Sequence, residues 1–152
     1  DGIKTLAKQG AWPETLWPYD VAKFAKRPPA PAYREAEKHQ AIVYRRLSPT
    51  LRQLKGCLAE GYPFVFGFTV YESFESAAVA RTGKASLPAR DERSIGGHAV
   101  LATGYDDRRQ RFTIMNSWSA QWGNKGYFTL PYTYLTNPGL ADDFWTVRVV
   151  EA

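Results

Sequence analysis

The sequence predicts an α+β chain built chiefly of antiparallel strands with helices at its periphery, and three observations carry that expectation. Two strand-like runs, His98 to Tyr105 and Arg111 to Trp118, flank a polar turn at Asp106 to Gln110, which is the pattern of a hairpin. A third run, Phe64 to Val70, consists of strand formers apolar on both faces, as expected of a strand buried in a barrel or sandwich. Ahead of it, Leu51, Leu54 and Leu58 recur at helical spacing. The 152 residues are 44% apolar and 14% aromatic, ample for a packed core and too apolar for a disordered chain.

Taken in order, Gly2 to Gly10 reads as a helix with Ile3, Leu6 and Ala7 on one face and Gly10 as its left-handed stop. Trp12, Pro13, Trp17, Pro18 and Tyr19 then form a corner too rigid for a helix. Arg27 to Pro31, with prolines at 28, 29 and 31, reads as an extended connector and sets an expected boundary between residues 1–27 and a main body of residues 28–152. Ala41 to Leu47 is an expected strand. Ser48 and Pro49 match the cap and first-turn preferences of the helix that Gly61 ends. Glu72 to Gly96 is polar and turn-rich, a surface excursion.

Charge excludes more than it suggests. Twenty Lys and Arg against fifteen Asp and Glu give a net charge of +5, but the signs are interleaved along the chain, and no nucleic-acid signature accompanies them. The longest apolar stretch, Tyr62 to Tyr71, is far short of the roughly 18 to 20 residues of a bilayer crossing. No nucleic-acid or membrane partner is expected. Cys57 is the only cysteine, so no disulfide forms within the chain, and His39 has no second histidine at metal-ligand spacing; neither a metal nor a cofactor is expected.

The hairpin carries the chemistry. If the turn is centred on Asp107, Val100 faces Ile114, Ala102 faces Phe112, and His98 faces Asn116. Directly opposed side chains lie about 4.5 to 5.5 Å apart at Cβ, close enough for an imidazole to meet an amide. A slip of one residue would turn one set to the other face. An amide oxygen that accepts from one ring nitrogen fixes the tautomer and leaves the other nitrogen for a reacting group. A buried histidine merely satisfied by a buried amide gives the same pattern, and these residues alone leave both readings open.

Further motifs decide between them. Gly96-Gly97-His98-Ala99-Val100, then Gly104-Tyr105, then Asn116-Ser117-Trp118, then Trp122-Gly123 and Gly126-Tyr127-Phe128 resemble, in order and spacing, the second half of the papain-like cysteine peptidases. Gly10 to Tyr19 and Gly61 to Phe68 are similar to preceding parts of that family, and Pro131 to Trp145 resembles its bacterial and viral branch. The resemblance implies a papain-like fold, with residues 1–27 a remnant of a helical left lobe and its crossover, residues 28–152 an antiparallel β-barrel right lobe, and most of the left lobe missing. It implies hydrolysis of peptide bonds in a peptide or protein substrate, with His98 the catalytic base and acid, Asn116 its orienting partner, Trp118 a shield over their hydrogen bond, and Gly67 and Ala99 lining the main specificity pocket.

The nucleophile is where the resemblance runs out. The family places its cysteine roughly 130 to 150 residues before the histidine, which puts it roughly 30 to 50 residues ahead of Asp1. The only methionine is Met115, so the chain opens as a processed or truncated product would. Cys57, on the expected helix beside Leu54 and Leu58, reads as a small core residue rather than as a substitute. Two outcomes are therefore expected: a peptidase portion whose cysteine comes from the missing N-terminal lobe or a second chain, leaving the isolated chain inactive, or a catalytically dead binding or assembly module that self-associates through an exposed former lobe interface. One departure stands inside the motif. Ser119 occupies a position where the family usually has glycine, which strains the turn if positive φ is needed there.

Overall fold

A computed structural model describes residues 2–150. The chain forms two compact units, one made of the described residues up to Arg45 together with those from Val147 onward, the other of residues 46–146.

In the first unit, helix α1 spans Gly2–Gln9. Gly10 ends it at φ 72°, where a Cβ would lie 1.7 Å from the Ala36 carbonyl oxygen, so only glycine fits this close approach. The aromatic corner holds two short 3-10 turns, Glu14–Leu16 and Val21–Lys23, the second capped by the Asp20 carboxylate accepting from Ala22 N. The prolines expected to keep residues 27–31 extended instead open helix α2, Ala30–Ala36: Pro29 caps it in an extended conformation, and Pro31 lies in the first turn, where its missing N–H costs nothing. Strand β1 spans Ala41–Arg46.

The second unit begins with helix α3, Leu51–Ala59, which buries Leu54 and Cys57. Thr50 caps it in place of the expected Ser48, its hydroxyl accepting from Gln53 N at 3.3 Å. Strand β2, Phe64–Tyr71, follows. Its burial alternates, with Phe64, Phe66, Phe68 and Val70 inward and Val65 outward, so β2 is a half-buried strand and not one covered on both faces. Within the expected excursion, helix α4, Ala77–Thr82, contributes Val79 to the core, and Phe74 from the turn before it is also buried. Strands β3, Ser94–Asp106, β4, Arg111–Met115, and β5, Tyr127–Pro131, precede helix α5, Tyr132–Leu135, and strand β6, Ala141–Val150.

The six strands form one sheet in the order β1-β6-β2-β3-β4-β5, and the pairs β2–β3, β2–β6, β3–β4 and β4–β5 are antiparallel. The core lies on one face. Phe66 stacks on Phe144 with ring centroids 5.4 Å apart, and Phe112, Ile114, Phe128 and Leu130 complete it from β4 and β5. Each such side chain contributes about 1.5 to 3 kcal/mol by leaving water.

The hairpin forms, but its register differs from a turn centred on Asp107. Four residues, Asp107 to Gln110, make the connection, so Asp106 pairs with Arg111, Tyr105 with Phe112, and Gly104 with Thr113. Carried on, that register would set Asn116 opposite Leu101, on the face away from His98. An irregularity between Ala102 and Gly104 leaves Thr103 unpaired, after which Ala102 pairs with Ile114 and Leu101 with Met115. That bulge restores the parity. His98, Val100 and Asn116 then share a face, with Asn116 diagonal to His98 rather than directly opposed. Strand β4 ends at Met115, three residues earlier than the expected run, and Asn116 N extends the β4–β5 register by one more bond, donating to Gly126 O at 2.9 Å.

Candidate active site

His98 is placed by the β2–β3 ladder, where it pairs with Phe68. Its Nε2 lies 2.8 Å from Asn116 Oδ1. The same oxygen accepts from Ser117 N at 2.8 Å, which identifies it as the amide oxygen, so Nε2 is the ring nitrogen that carries the proton and donates. Nδ1 is left for chemistry. Asn116 Nδ2 is buried with no hydrogen-bond partner among the described residues.

Trp118 lies over the imidazole, with ring centroids 4.9 Å apart and planes 22° from parallel. It is held in turn by Phe74 at 5.7 Å and Trp122 at 5.1 Å, and Phe68 meets the imidazole at 5.9 Å. This aromatic collar packs around the part-buried His98–Asn116 hydrogen bond and limits the tilt of the ring plane. Ser119 adopts φ 78°, so the positive φ that favours glycine is required here and a serine meets it at a strain of about 1 to 2 kcal/mol.

Gly67 and Ala99 are direct partners in the β2–β3 ladder, and both line a groove of about 410 Å³ together with His98 and residues 138–142. A Cβ on Gly67 would lie 3.1 Å from Asp142 Oδ1, so the glycine makes room for that carboxylate. The groove walls are tied together: Thr69 N donates to Leu140 O at 2.8 Å, and the Tyr134 hydroxyl donates to Thr69 O at 2.7 Å. Burial pushes the Tyr134 phenol well above its ordinary pKa, so it stays a neutral donor.

The structure thus brings His98, Asn116, Trp118, Gly67 and Ala99 into one neighbourhood. Cys57 is not among the groups that line the groove or touch the imidazole. It is 3% exposed on α3, and its thiol donates to Tyr62 O at 3.3 Å. His39 follows the end of α2, with Nε2 3.7 Å from Glu35 Oε1. Sequence reasoning missed Asp142 because the resemblance over Pro131 to Trp145 assigns it no role and the stretch has no period; its pairing with Gly67 is created by β6 folding back on β2.

The comparisons with known proteins agree with this geometry. The family model described as "Papain family cysteine protease" matches residues 2–145. The chain belongs to the papain family of cysteine proteases. A peptidase C1-like protein of Acanthamoeba polyphaga mimivirus is 41% identical over 157 residues, covering 98% of this chain and 50% of that protein. The crystal structure of xylellain, a cysteine protease from Xylella fastidiosa, superposes with a TM-score of 0.88 at 40% identity, over 97% of this chain and 60% of that one. Digestive procathepsin L2 from the midgut of Tenebrio molitor larvae shares the fold, with a TM-score of 0.69 at 18% identity over 97% of this chain and 46% of that one. The chain therefore spans about half the length of the papain-family relatives it matches. Its papain-like fold is that of these proteases, with one six-stranded sheet and few helices.

Proposed function

We propose that this chain supplies the histidine–asparagine half of a cysteine peptidase, and that the nucleophilic thiol comes from a segment outside these 152 residues. The observation that carries the reading is the imidazole of His98, held at Nε2 by Asn116 Oδ1 at 2.8 Å and covered by Trp118, with Nδ1 left over. Cys57 does not serve, because its thiol is enclosed in the core and engaged by Tyr62 O.

In this reading the thiol proton passes to His98 Nδ1, giving a thiolate beside an imidazolium whose Nε2–H still donates to Asn116. The thiolate attacks the peptide carbonyl carbon. The imidazolium returns its proton to the leaving nitrogen as the C–N bond breaks, and a thioester remains. Water then attacks the thioester, giving a proton to His98, and the acid and the thiol are released. Asn116 acts as a positioning residue, since an imidazole free to rotate would miss both proton transfers. The groove over Gly67 and Ala99 receives a substrate side chain, and the exposed Asp142 carboxylate favours a basic one there.

The test is complementation. The chain alone should not cleave a fluorogenic peptide; mixed with a polypeptide bearing the family's cysteine segment it should, and His98→Ala in the mixture should lower the rate about 10²- to 10⁴-fold. Cleavage by the chain alone that Cys57→Ser abolishes would sink the reading. A well-folded complex with no cleavage would favour a binding or assembly module. In an active mixture, Asp142→Asn should reduce the preference for a basic over a neutral side chain by a few-fold, about 1 kcal/mol for a solvent-exposed pair.

A further inference from the structure

A second pocket, of about 350 Å³, lies on the outer face of β4 and β5. Arg111 and Thr113 reach it from β4, Thr129 from β5, Lys84 from the segment after α4, Asp106 from the end of β3 and Arg109 from the hairpin turn. Its charges do not balance. Asp106 accepts from Arg109 twice, from the backbone N at 3.1 Å and from Nη1 at 3.2 Å, so this carboxylate and this guanidinium offset each other. Lys84 and Arg111 remain, and neither has an ion-pair partner among the described residues.

Arg111 is the unusual member. It is partly buried, and each acceptor it meets is neutral: Nε donates to Thr129 Oγ1 at 2.9 Å, and Nη2 donates to Thr129 O at 2.7 Å and to Ala85 O. Burial depresses its pKa, the mark of a cation taken from water without a counter-charge. Three neutral acceptors fix the direction of the guanidinium while leaving its charge uncompensated and Nη1 without a hydrogen bond among the described residues. Thr113 Oγ1 makes no hydrogen bond among the described residues, and the Thr129 hydroxyl, which accepts from Arg111, has its own proton to give.

We propose that this pocket binds a tetrahedral oxyanion of the phosphate or sulfate class, free or as the terminal group of an ester. Two cations and two hydroxyl donors approach from the segment after α4, from β4 and from β5, so the donors converge from several directions. A planar carboxylate presents only two oxygens to such a set; a tetrahedral anion presents three or four. The guanidinium is pre-oriented by its bonds to β5, which removes much of the ordering cost of recognition.

The test is a titration of the chain with inorganic phosphate at constant ionic strength set with chloride, followed by the Arg111 Nε resonance in ¹⁵N-resolved spectra. A saturable shift is expected. Lys84→Glu, an exposed residue, should weaken binding by about tenfold or more, and Thr113→Val by a smaller factor. Arg111 itself is not substituted, because it also ties β4 to β5 and to Ala85. A response to phosphate no greater than to chloride, equal binding of acetate, or unchanged affinity in both variants would overturn the proposal. Phenyl phosphate separates the two sources: tighter binding than inorganic phosphate identifies an esterified ligand, and equal or weaker binding a free ion.

Discussion

Strand β4 has two faces that do opposite things within five residues. Phe112 and Ile114 are completely buried, and the face they define leads directly to Asn116 and so to His98. Arg111 and Thr113, on the other face, are only partly covered and line a pocket of cations and hydroxyls. The inner face spends apolar area to hold one imidazole in one orientation. The outer face holds a charge that its own neighbours do not neutralise. Alternation along a strand lets one short segment build both, and it makes parity the quantity on which each depends.

The sharpest way to break the comparison is to remove its inner half. Phe112→Ala should cost about 3 to 5 kcal/mol in denaturant unfolding, whereas Thr113→Val beside it should stay within about 0.5 kcal/mol. Comparable losses at the two positions would mean that the faces are not distinct. Next in size is Asn116→Ala in a complemented mixture that cleaves peptide. Losing a hydrogen bond to a charged ring should raise the barrier by about 1.5 to 3 kcal/mol, lowering kcat roughly 10- to 150-fold while leaving KM nearly unchanged, and it should alter the pH profile. A change in KM alone would mean that Asn116 contributes to substrate binding and not to orienting His98 for proton transfer.

Ser119→Gly relieves the turn that follows Asn116. It should raise the unfolding free energy by about 1 kcal/mol, and no gain would mean that the serine's φ of 78° is held without strain. The smallest effect concerns the turn itself. Asp107 accepts from Lys55 Nζ at 2.5 Å and from the Tyr132 hydroxyl at 2.8 Å, and these partners, Lys55 first, hold its carboxyl below the usual carboxylate value. A depressed carboxyl stabilises the fold above its ordinary pKa near 3.8 and loses that contribution as pH falls through the lowered value. Melting temperatures of wild type and Asp107→Asn should therefore differ slightly at pH 7 and converge in strong acid; a constant difference would show that the charge is not what matters.

Much of the site could be read before the structure. His98 and Asn116 can be paired from their spacing around a polar turn, the resemblance to the papain-like peptidases adds Trp118 and the roles expected of all three, and Gly10 announces its helix stop because a left-handed residue is a local need. The register could not be read in the same way. It depends on a turn pinned by Asp107 to Lys55 and Tyr132, residues 52 and 25 positions away, and on a bulge at Thr103, which the neighbouring Gly104 permits but does not place. Asp142 was hidden for the same reason, since it meets Gly67 only through the pairing of β6 with β2.

By itself, then, the sequence determined the helix α1 with its stop, strands β1 and β2, helix α3 and the β3–β4 hairpin, and it singled out the candidate residues of the site, because periodicity, turn composition and motif spacing all act over a few neighbouring positions. The tertiary structure decided parity, enclosure and charge balance: that His98 and Asn116 share a face, that Cys57 is sealed in the core while Trp118 covers the imidazole, and that Arg111 keeps an uncompensated charge. Each of these depends on contacts between segments distant along the chain, and no local pattern encodes such contacts.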